Sequence, residues 1–223
     1  DLHSFPTRRS SDLHIVFANL FGIMPARSFA IAPADDAPLD RIFGQQALSH
    51  PGKSGVGLVP EGGDAFALRA MSARVAKRSI DAQYYIWHND TTGRFLACEL
   101  LAAADRGVRV RALLDDMDAR SRDSVLMALN KHPGIEIRLF NPFAIRSGML
   151  RTVVDVFARG SRLNHRMHNK SWIVDGRMAI VGGRNIGDEY FSASDDVNFV
   201  DLDVLLAGAI WRSEERRVGK ECR

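Results

Sequence analysis

The feature that most restricts the fold is an alternation of strand-like and helix-like runs between residues 64 and 140. β-Branched and aromatic residues over Ile80–Trp87 predict a strand, and Phe95–Arg106 has helical spacing that ends at Gly107. Strands joined through helices usually lie parallel, so we predict an α/β fold with a mixed, mostly parallel sheet flanked by helices. The other predicted elements are the helices Asp64–Arg78 and Arg122–Lys131 and the strands Val108–Leu114, Ile135–Phe140 and Phe199–Leu206.

Two short apolar runs further along the chain predict a β-hairpin. They are Trp172–Val174 and Met178–Val181, and between them Asp175-Gly176 is a strong signal for a tight turn. A hairpin turns the chain back on itself, so residues before the first strand are expected to lie beside residues after the second.

Polar residues also fall at two predicted strand ends. Asp115-Asp116 follows one strand and Asn141–Phe143 follows the next. Ligands of α/β sheets bind beyond the carboxyl ends of the strands, so these residues either line a site or are solvated turn residues.

The composition is that of a folded domain. The chain has 223 residues, of which 46% are hydrophobic and 26% charged, and this is enough for one domain with a core. No apolar run reaches the roughly 20 residues of a membrane-spanning helix. Cys98 lies in an apolar helical run and is expected to be a buried, inert thiol.

The two ends of the chain differ from the rest. Residues 1–13 and 212–223 resemble translations of a common sequencing adapter in opposite orientations, and we expect both to be artefacts. The first thirteen residues are neutral, and the last twelve carry five Lys or Arg against three Glu, so the formal charge of +3 falls to +1 without them. So small a charge is unusual for a protein that binds nucleic acid.

The spacing H-x-K-x4-D-x6-G-G-x-N carries the chemistry, and it begins with His168 and Lys170. Two residues apart on an extended strand, these side chains face the same side. A neutral imidazole can attack phosphorus, and an ammonium can neutralise the phosphate oxygens as charge builds up on them. The pair therefore predicts a histidine nucleophile for phosphodiester transfer.

The second half of the spacing adds phosphate-binding groups. Gly182 and Gly183 would let the backbone approach a phosphate closely, and Asn185 supplies an uncharged donor. No metal site is predicted. His165 and His168 have the spacing of a ligand pair, but no acidic or cysteine residue has a spacing that would complete the site.

This spacing resembles the signature of the phospholipase D superfamily, with six residues in the same order. Gly183 fits the position that is Ser or Gly in that family, although it lacks the hydroxyl that some members use. The resemblance covers about Gly52–Trp211 and is to the bacterial cardiolipin synthase C branch. The segments that carry it are AQYYIWHND, LLAAADRGVRVRALLDD, IEIRLFNPF, NHRMHNK, VGGRNIGDEYF and FVDLDVLLAG.

The family implies a phosphatidyltransferase that works through a phosphohistidine and needs no cofactor. Its substrates would be phosphatidylglycerol and phosphatidylethanolamine at a membrane surface, its product cardiolipin, and its location the periphery of the bacterial inner membrane. The family also places a second motif in a second half. Residues 14–54 are then an N-terminal segment with a linker, and residues 55–211 a truncated catalytic half-domain. Such a half would be inactive or incomplete without the missing C-terminal half or a second copy.

The resemblance assigns further roles. Asp175 is a candidate catalytic residue whose family counterpart usually supports the turn and the fold. Asp201 is the candidate carboxylate that orients the histidine, and Asp203 is the competing choice. Tyr84, Tyr85 and Trp87 are expected in the core.

Two other functions remain open on the sequence. With water as the acceptor, the same covalent step would give phosphatidic acid. A nuclease or general phosphodiesterase uses the same motif, but the small net charge makes nucleic acid an unlikely partner.

Overall fold

The computed structural model describes residues 30–32, 36–51, 53–115, 129–140 and 166–208. The adapter-like ends, Asp116, Asn141–Phe143 and all but the last three residues of the helix predicted at Arg122–Lys131 lie outside the described residues. The helices are α1 (Pro38–Ser49), α2 (Gly62–Val75), α3 (Thr91–Asp105) and a 3₁₀ turn (Asp188–Tyr190). The strands are β1 (Gly55–Val59), β2 (Ser79–Tyr84), β3 (Arg109–Asp115), β4 (Ile135–Phe140), β5 (Ser171–Val174), β6 (Met178–Gly182) and β7 (Asp203–Ala207).

The seven strands form one mixed sheet in the order β1-β7-β6-β5-β2-β3-β4. Only the β2–β3 and β3–β4 pairs are parallel, and the other four pairs are antiparallel. The prediction of an α/β fold is confirmed, but the prediction of a mostly parallel sheet is wrong. The strand–helix alternation fixes only one half of the sheet, and the hairpin with its neighbours β7 and β1 makes the other half antiparallel.

Two elements lie near the start of the described chain. The linker segment contains the twelve-residue helix α1, and the strand β1, which follows it, was not predicted. Asp40 of α1 binds Arg78 and Arg177, whose hydrogen bonds bring the pKa of this carboxyl below its ordinary value although burial alone would raise it. α1 is thereby tied to the turn of the hairpin.

The core lies between one face of the sheet and the helices α2 and α3. Tyr84, Trp172 and Ile180 on the sheet are fully buried against Leu96 of α3 and the alanines of α2. The Trp172 indole N–H donates to the hydroxyl of Ser72 at 3.1 Å, so even the polar atom of this large side chain is satisfied. Every second residue of the central strands faces this core, and the residues between them face the opposite side of the sheet.

The hairpin turn agrees with the sequence-based prediction, and the environment of Cys98 does not. The Asp175-Gly176 turn is present, with φ of 53° and 66°, the left-handed conformation that this turn type requires. Cys98 is exposed on α3 instead of buried. Within the described ranges, no helix has the length and apolar character needed to cross a membrane.

Candidate active site

The candidate site is built at the open end of the β5–β6 hairpin, opposite its turn. His168 and Lys170 lie in the extended segment that leads into β5. The Lys170 ammonium is 2.9 Å from Nδ1 and 3.1 Å from Nε2 of the His168 ring, and it donates to the His168 carbonyl at 2.9 Å. The imidazole is exposed, whereas Lys170 is only 6% exposed. The structure thus brings the predicted nucleophile and the predicted cation together.

The charge on Lys170 is held in a partly desolvated place. Burial lowers the pKa of Lys170, and the negative charge of Asp201 acts in the opposite direction. No carboxylate of the described residues lies within ion-pair distance of this ammonium. An ammonium without an ion-pair partner can exchange its contacts with His168 for hydrogen bonds to the oxygens of an incoming anion.

Asp201 makes no hydrogen bond to the His168 imidazole within the described part of the chain. Its carboxylate accepts from the Leu202 N–H at 2.7 Å. Gly183 leaves the space for it, because a Cβ at this position would collide with both carboxylate oxygens of Asp201. The Asp201 carboxylate therefore lies against Gly183 and acts on Lys170 through its charge.

The glycine pair makes its close approach to the chain entering β7. A Cβ on Gly182 would overlap the carboxylate of Asp203 and would lie 2.5 Å from the Leu202 carbonyl. The Gly183 N–H donates to that same carbonyl at 3.3 Å. The two glycines therefore let β6 and the Asp201–Asp203 segment meet, and the Gly183 N–H is already engaged in the fold.

Asn185 is buried and holds the neighbouring loop. Its Oδ1 accepts from the Ile86 N–H at 3.1 Å, and its Nδ2 donates to the Tyr190 hydroxyl at 3.0 Å. These bonds link the end of the motif to the residues that follow β2. No hydrogen bond within the described part of the chain joins the Asn185 amide to His168 or Lys170.

Asp175 is not brought together with these residues. It lies in the turn at the other end of β5, about 15 Å away at the rise of an extended chain. Its buried carboxylate accepts the backbone N–H groups of Lys77 at 3.0 Å, Arg78 at 2.7 Å and Ser79 at 2.9 Å. The carboxylate therefore fastens the hairpin turn to the start of β2.

Asp203 belongs to a buried ionic network. Its Oδ2 lies 2.9 Å from Arg69 NH2, and Arg69 Nε also donates to the Tyr84 hydroxyl at 2.9 Å. Arg184, inside the motif, is 3.9 Å from the same carboxylate and donates to the carbonyls of Val59 and Pro60. A carboxylate so enclosed by guanidinium groups has a structural place in the fold.

Asp115 lies at the carboxyl end of β3, where the sequence suggested a site or a solvated turn. It is buried, accepts from the Met167 N–H at 3.0 Å and pairs with Arg166 at 3.2 Å. It therefore fixes the two residues before His168.

Tyr85 is a site residue that the sequence analysis missed. Tyr84 is fully buried and Trp87 packs on the core, but Tyr85 is only partly buried. The ring centroids of Tyr85 and His168 are 5.1 Å apart, and Lys170 Nζ is 5.7 Å from the Tyr85 centroid. The period-two alternation of β2 could have given this signal, since it puts Tyr84 and Tyr85 on opposite faces.

Among the described residues, one group of three side chains has atoms that could hold a metal ion. His88, Asp90 and Glu189 have ligand atoms within 4.8 Å of one another. The same atoms make internal contacts: His88 Nδ1 is 3.0 Å from Glu189, and Asp90 accepts the Asp188 N–H at 2.8 Å and the Gly93 N–H at 2.9 Å. These contacts cap α3 and join it to the 3₁₀ turn.

The fold and the spacing of His168 and Lys170 define the phospholipase D class, and sequence comparison gives the family. The family described as "Cardiolipin synthase, PLD-like domain" matches residues 72–215, more than half of the chain. The chain therefore belongs to the cardiolipin synthase, PLD-like domain family of the phospholipase D superfamily.

Two relatives show how much of a full-length protein the chain represents. It is 51% identical over 161 residues to cardiolipin synthase C of Escherichia coli, covering 72% of this chain and 33% of that protein. It is 40% identical over 198 residues to an uncharacterized protein of Helicobacter pylori, covering 87% of this chain and 39% of that protein. The chain thus spans between a third and two fifths of the length of these relatives.

Solved structures share the fold. NucT from Helicobacter pylori matches with a TM-score of 0.52 and 17% identity, covering 76% of this chain and 94% of that chain. The phospholipase D family member Nuc from Salmonella typhimurium matches with a TM-score of 0.50 and 20% identity, covering 75% and 92%. At these identities the likeness concerns the fold alone.

Proposed function

We propose that this chain is one half of a phosphatidyl-transferring active site, with His168 as the nucleophile and Lys170 as the group that binds the phosphate oxygens. In the full-length protein the acceptor would be the hydroxyl of phosphatidylglycerol, and the product cardiolipin. The donor would be a phospholipid such as phosphatidylglycerol or phosphatidylethanolamine. The observation that carries the proposal is the exposed imidazole of His168 with the Lys170 ammonium 2.9 and 3.1 Å from its two ring nitrogens.

The chemistry has two balanced steps. A ring nitrogen of His168 attacks phosphorus, and the bond from phosphorus to the leaving oxygen breaks as that oxygen departs with the electron pair and takes up a proton. An acceptor hydroxyl then attacks phosphorus, gives up its proton to a base, and the N–P electron pair returns to the imidazole. Lys170 stabilises the oxygens in both steps, together with the second N–H of the Asn185 amide. The acid and the base would come from the second half or a second copy.

Lys170 must change partners during this reaction. In the structure its ammonium lies against both ring nitrogens, one of which has to reach phosphorus. An anionic phosphodiester offers the ammonium charged acceptors, and these are stronger partners than a neutral imidazole. Binding of the substrate would therefore draw Lys170 onto the phosphate and free the nucleophile.

The surface beside the site supports a lipid substrate over nucleic acid. Residues 192–202 contain three aspartates and no Lys or Arg, although a nucleic-acid groove needs basic side chains. The same segment displays apolar side chains to solvent: Val197 at 56%, Phe199 at 49%, Val200 at 102% and Leu202 at 45% exposure. An apolar rim next to a phosphate site suits a phosphodiester that carries acyl chains.

An activated phosphodiester tests the half-site directly. A p-nitrophenolate leaving group departs without a proton, so a single motif should be sufficient for the first step. Mixing this chain with bis(p-nitrophenyl) phosphate should release a burst of nitrophenolate up to one equivalent and leave a phosphohistidine detectable by ³¹P NMR or mass spectrometry. His168→Ala should abolish both. A burst that survives this substitution would remove His168 from the mechanism.

The acceptor is tested in the full-length protein from the same source. Vesicles of phosphatidylglycerol and phosphatidylethanolamine should yield cardiolipin, with His168→Ala as the matched negative control. Accumulation of phosphatidic acid alone would leave the covalent step intact and replace the transferase with a hydrolase.

A further inference from the structure

Tyr85 touches both members of the candidate catalytic pair. Its ring lies 5.1 Å from the His168 ring, at an interplanar angle of 49°, and 5.7 Å from Lys170 Nζ. The residue comes directly after β2, and its neighbour Ile86 is held by the Asn185 amide at 3.1 Å. The backbone that carries this ring is therefore fixed by the last residue of the motif.

Lys170 alone does not set the plane of the imidazole. Its Nζ is almost equally far from Nδ1 and Nε2, so this contact does not select one ring nitrogen for attack. The His168 side chain is also exposed, and exposed side chains change rotamers readily. Among the described residues, the aromatic ring that packs against this imidazole is that of Tyr85.

We propose that Tyr85 is a positioning residue, whose aromatic ring holds the plane of the His168 imidazole and keeps the Lys170 ammonium beside it. The ring does this through edge and face contacts with the imidazole and through the attraction between its π face and the cation. This role rests on the proposed function, because it concerns how His168 is presented to phosphorus. The aromatic ring is sufficient for the role, and the hydroxyl is not required.

The test compares three variants in the burst reaction with bis(p-nitrophenyl) phosphate. Tyr85→Phe keeps the ring and should stay within about threefold of the parent chain. Tyr85→Leu keeps an apolar side chain but loses the ring, and the burst rate constant should fall about 10- to 100-fold, the size expected when a nucleophile is misplaced by about 1 Å. The substrate concentration for half-maximal rate should change little, since Lys170 still binds the oxygens. Phe95→Leu, at a partly exposed aromatic residue on α3, is the matched control and should leave the rate unchanged.

A substrate-free measurement accompanies the kinetics. The carbon-bound imidazole protons of His168 should show a ring-current shift in NMR that Tyr85→Phe preserves and Tyr85→Leu removes. Circular dichroism of each variant checks that the chain is folded.

The outcomes separate the two proposals. No burst in the parent chain would refute the proposed function and with it the role of Tyr85. A burst that is equally fast in the parent and Tyr85→Leu chains would overturn only the positioning role. An equal loss of burst rate in Tyr85→Phe and Tyr85→Leu would overturn the proposal that the aromatic ring, and not the hydroxyl, positions His168.

Discussion

The two ends of the β5–β6 hairpin differ in how their polar groups are satisfied. At the turn, the Asp175 carboxylate accepts three backbone N–H groups, and Arg177 binds Asp40 at 2.6 Å. At the open end, His168 is exposed, and within the described chain the Lys170 ammonium contacts the imidazole and the carbonyl of His168. One motif therefore contains a closed structural end and an open end that holds the proposed reactive groups.

This contrast indicates which motif residues are expected to take part in the reaction. A polar group whose hydrogen bonds are complete stabilises the fold and has nothing left to offer a ligand. A charged group that is partly desolvated and incompletely paired costs stability, but it binds an anion strongly. Substitutions at the two ends should accordingly affect different quantities, the free energy of unfolding at the turn and the rate at the open end.

Among substitutions that leave the proposed nucleophile in place, Lys170→Met should give the largest effect at the open end. Loss of the ammonium should lower the burst rate about 10²- to 10³-fold, as for other preorganised groups that stabilise transition-state charge. Burial lowers the pKa of Lys170, so the folded chain holds this proton less tightly than the unfolded chain does. Below the folded-state pKa, the charged ammonium therefore lowers the free energy of unfolding. This destabilisation decreases as the pH rises above the folded-state pKa and is gone above the unfolded-state pKa.

Because Lys170→Met removes that cost, urea unfolding at neutral pH should show unchanged or increased stability. The comparison between the two ends would fail if this variant lost both activity and more than about 1 kcal/mol of stability.

Asp175→Ala should show the opposite pattern. It leaves three backbone N–H groups, one of them buried, without their acceptor and puts alanine at a φ of 53°, so we expect a loss of about 3 kcal/mol in the free energy of unfolding. The folded fraction should keep a burst rate within about threefold of the parent chain, since the turn lies far from the reacting atoms. Asp175→Asn is the matched control, because it keeps one acceptor oxygen and tolerates this φ. A folded but inactive Asp175→Ala would give the turn carboxylate a part in the chemistry.

The sequence predicted the local features of this fold well. β4 matches its predicted range, the hairpin turn falls at Asp175-Gly176, and Gly107 follows α3 with a φ of 88°. Each of these depends on residues within one element or one turn. The antiparallel half of the sheet depends on β7 pairing with β1, about 150 residues apart in the chain, and no local pattern encodes that choice.

In the candidate site, too, the features that depend on neighbouring residues could be predicted, and those that depend on distant parts of the chain could not. The spacing of His168 and Lys170 was sufficient to predict that they meet, since both lie on one short extended segment. The placement of Tyr85 and the different environments of Asp201 and Asp203 could not be predicted from local spacing, because they depend on how the strands pair in the sheet. Asp203 is drawn into the core by Arg69 on α2, a partner that no spacing within the motif reveals.

Asp201→Asn should give a smaller effect that depends on pH. The Asp201 carboxylate opposes the lowering of the Lys170 pKa by burial, so without its charge that pKa should fall further. The loss of burst rate on the alkaline side should then begin at a lower pH, while the rate near neutral pH changes less than about tenfold. The pH profile of the burst measures this shift. A uniform loss at every pH would instead support a direct contact that orients His168 during the reaction.

Val200→Asp should give the smallest effect, and it concerns binding to a lipid surface. Val200 is fully exposed in the segment between the 3₁₀ turn and β7. If this apolar rim meets lipid, placing a carboxylate there should weaken binding of the chain to vesicles of phosphatidylglycerol and phosphatidylethanolamine by about 1 to 2 kcal/mol, which sedimentation with the vesicles would measure.

Val56→Asp provides the matched control, because Val56 is 68% exposed on the edge strand β1 and so lies on another part of the surface. Equal losses in both variants would mean that a negative charge anywhere on the protein repels the anionic vesicle. A loss confined to Val200→Asp would place the lipid at the open end of the hairpin, because Val200 directly precedes Asp201, whose charge acts on Lys170.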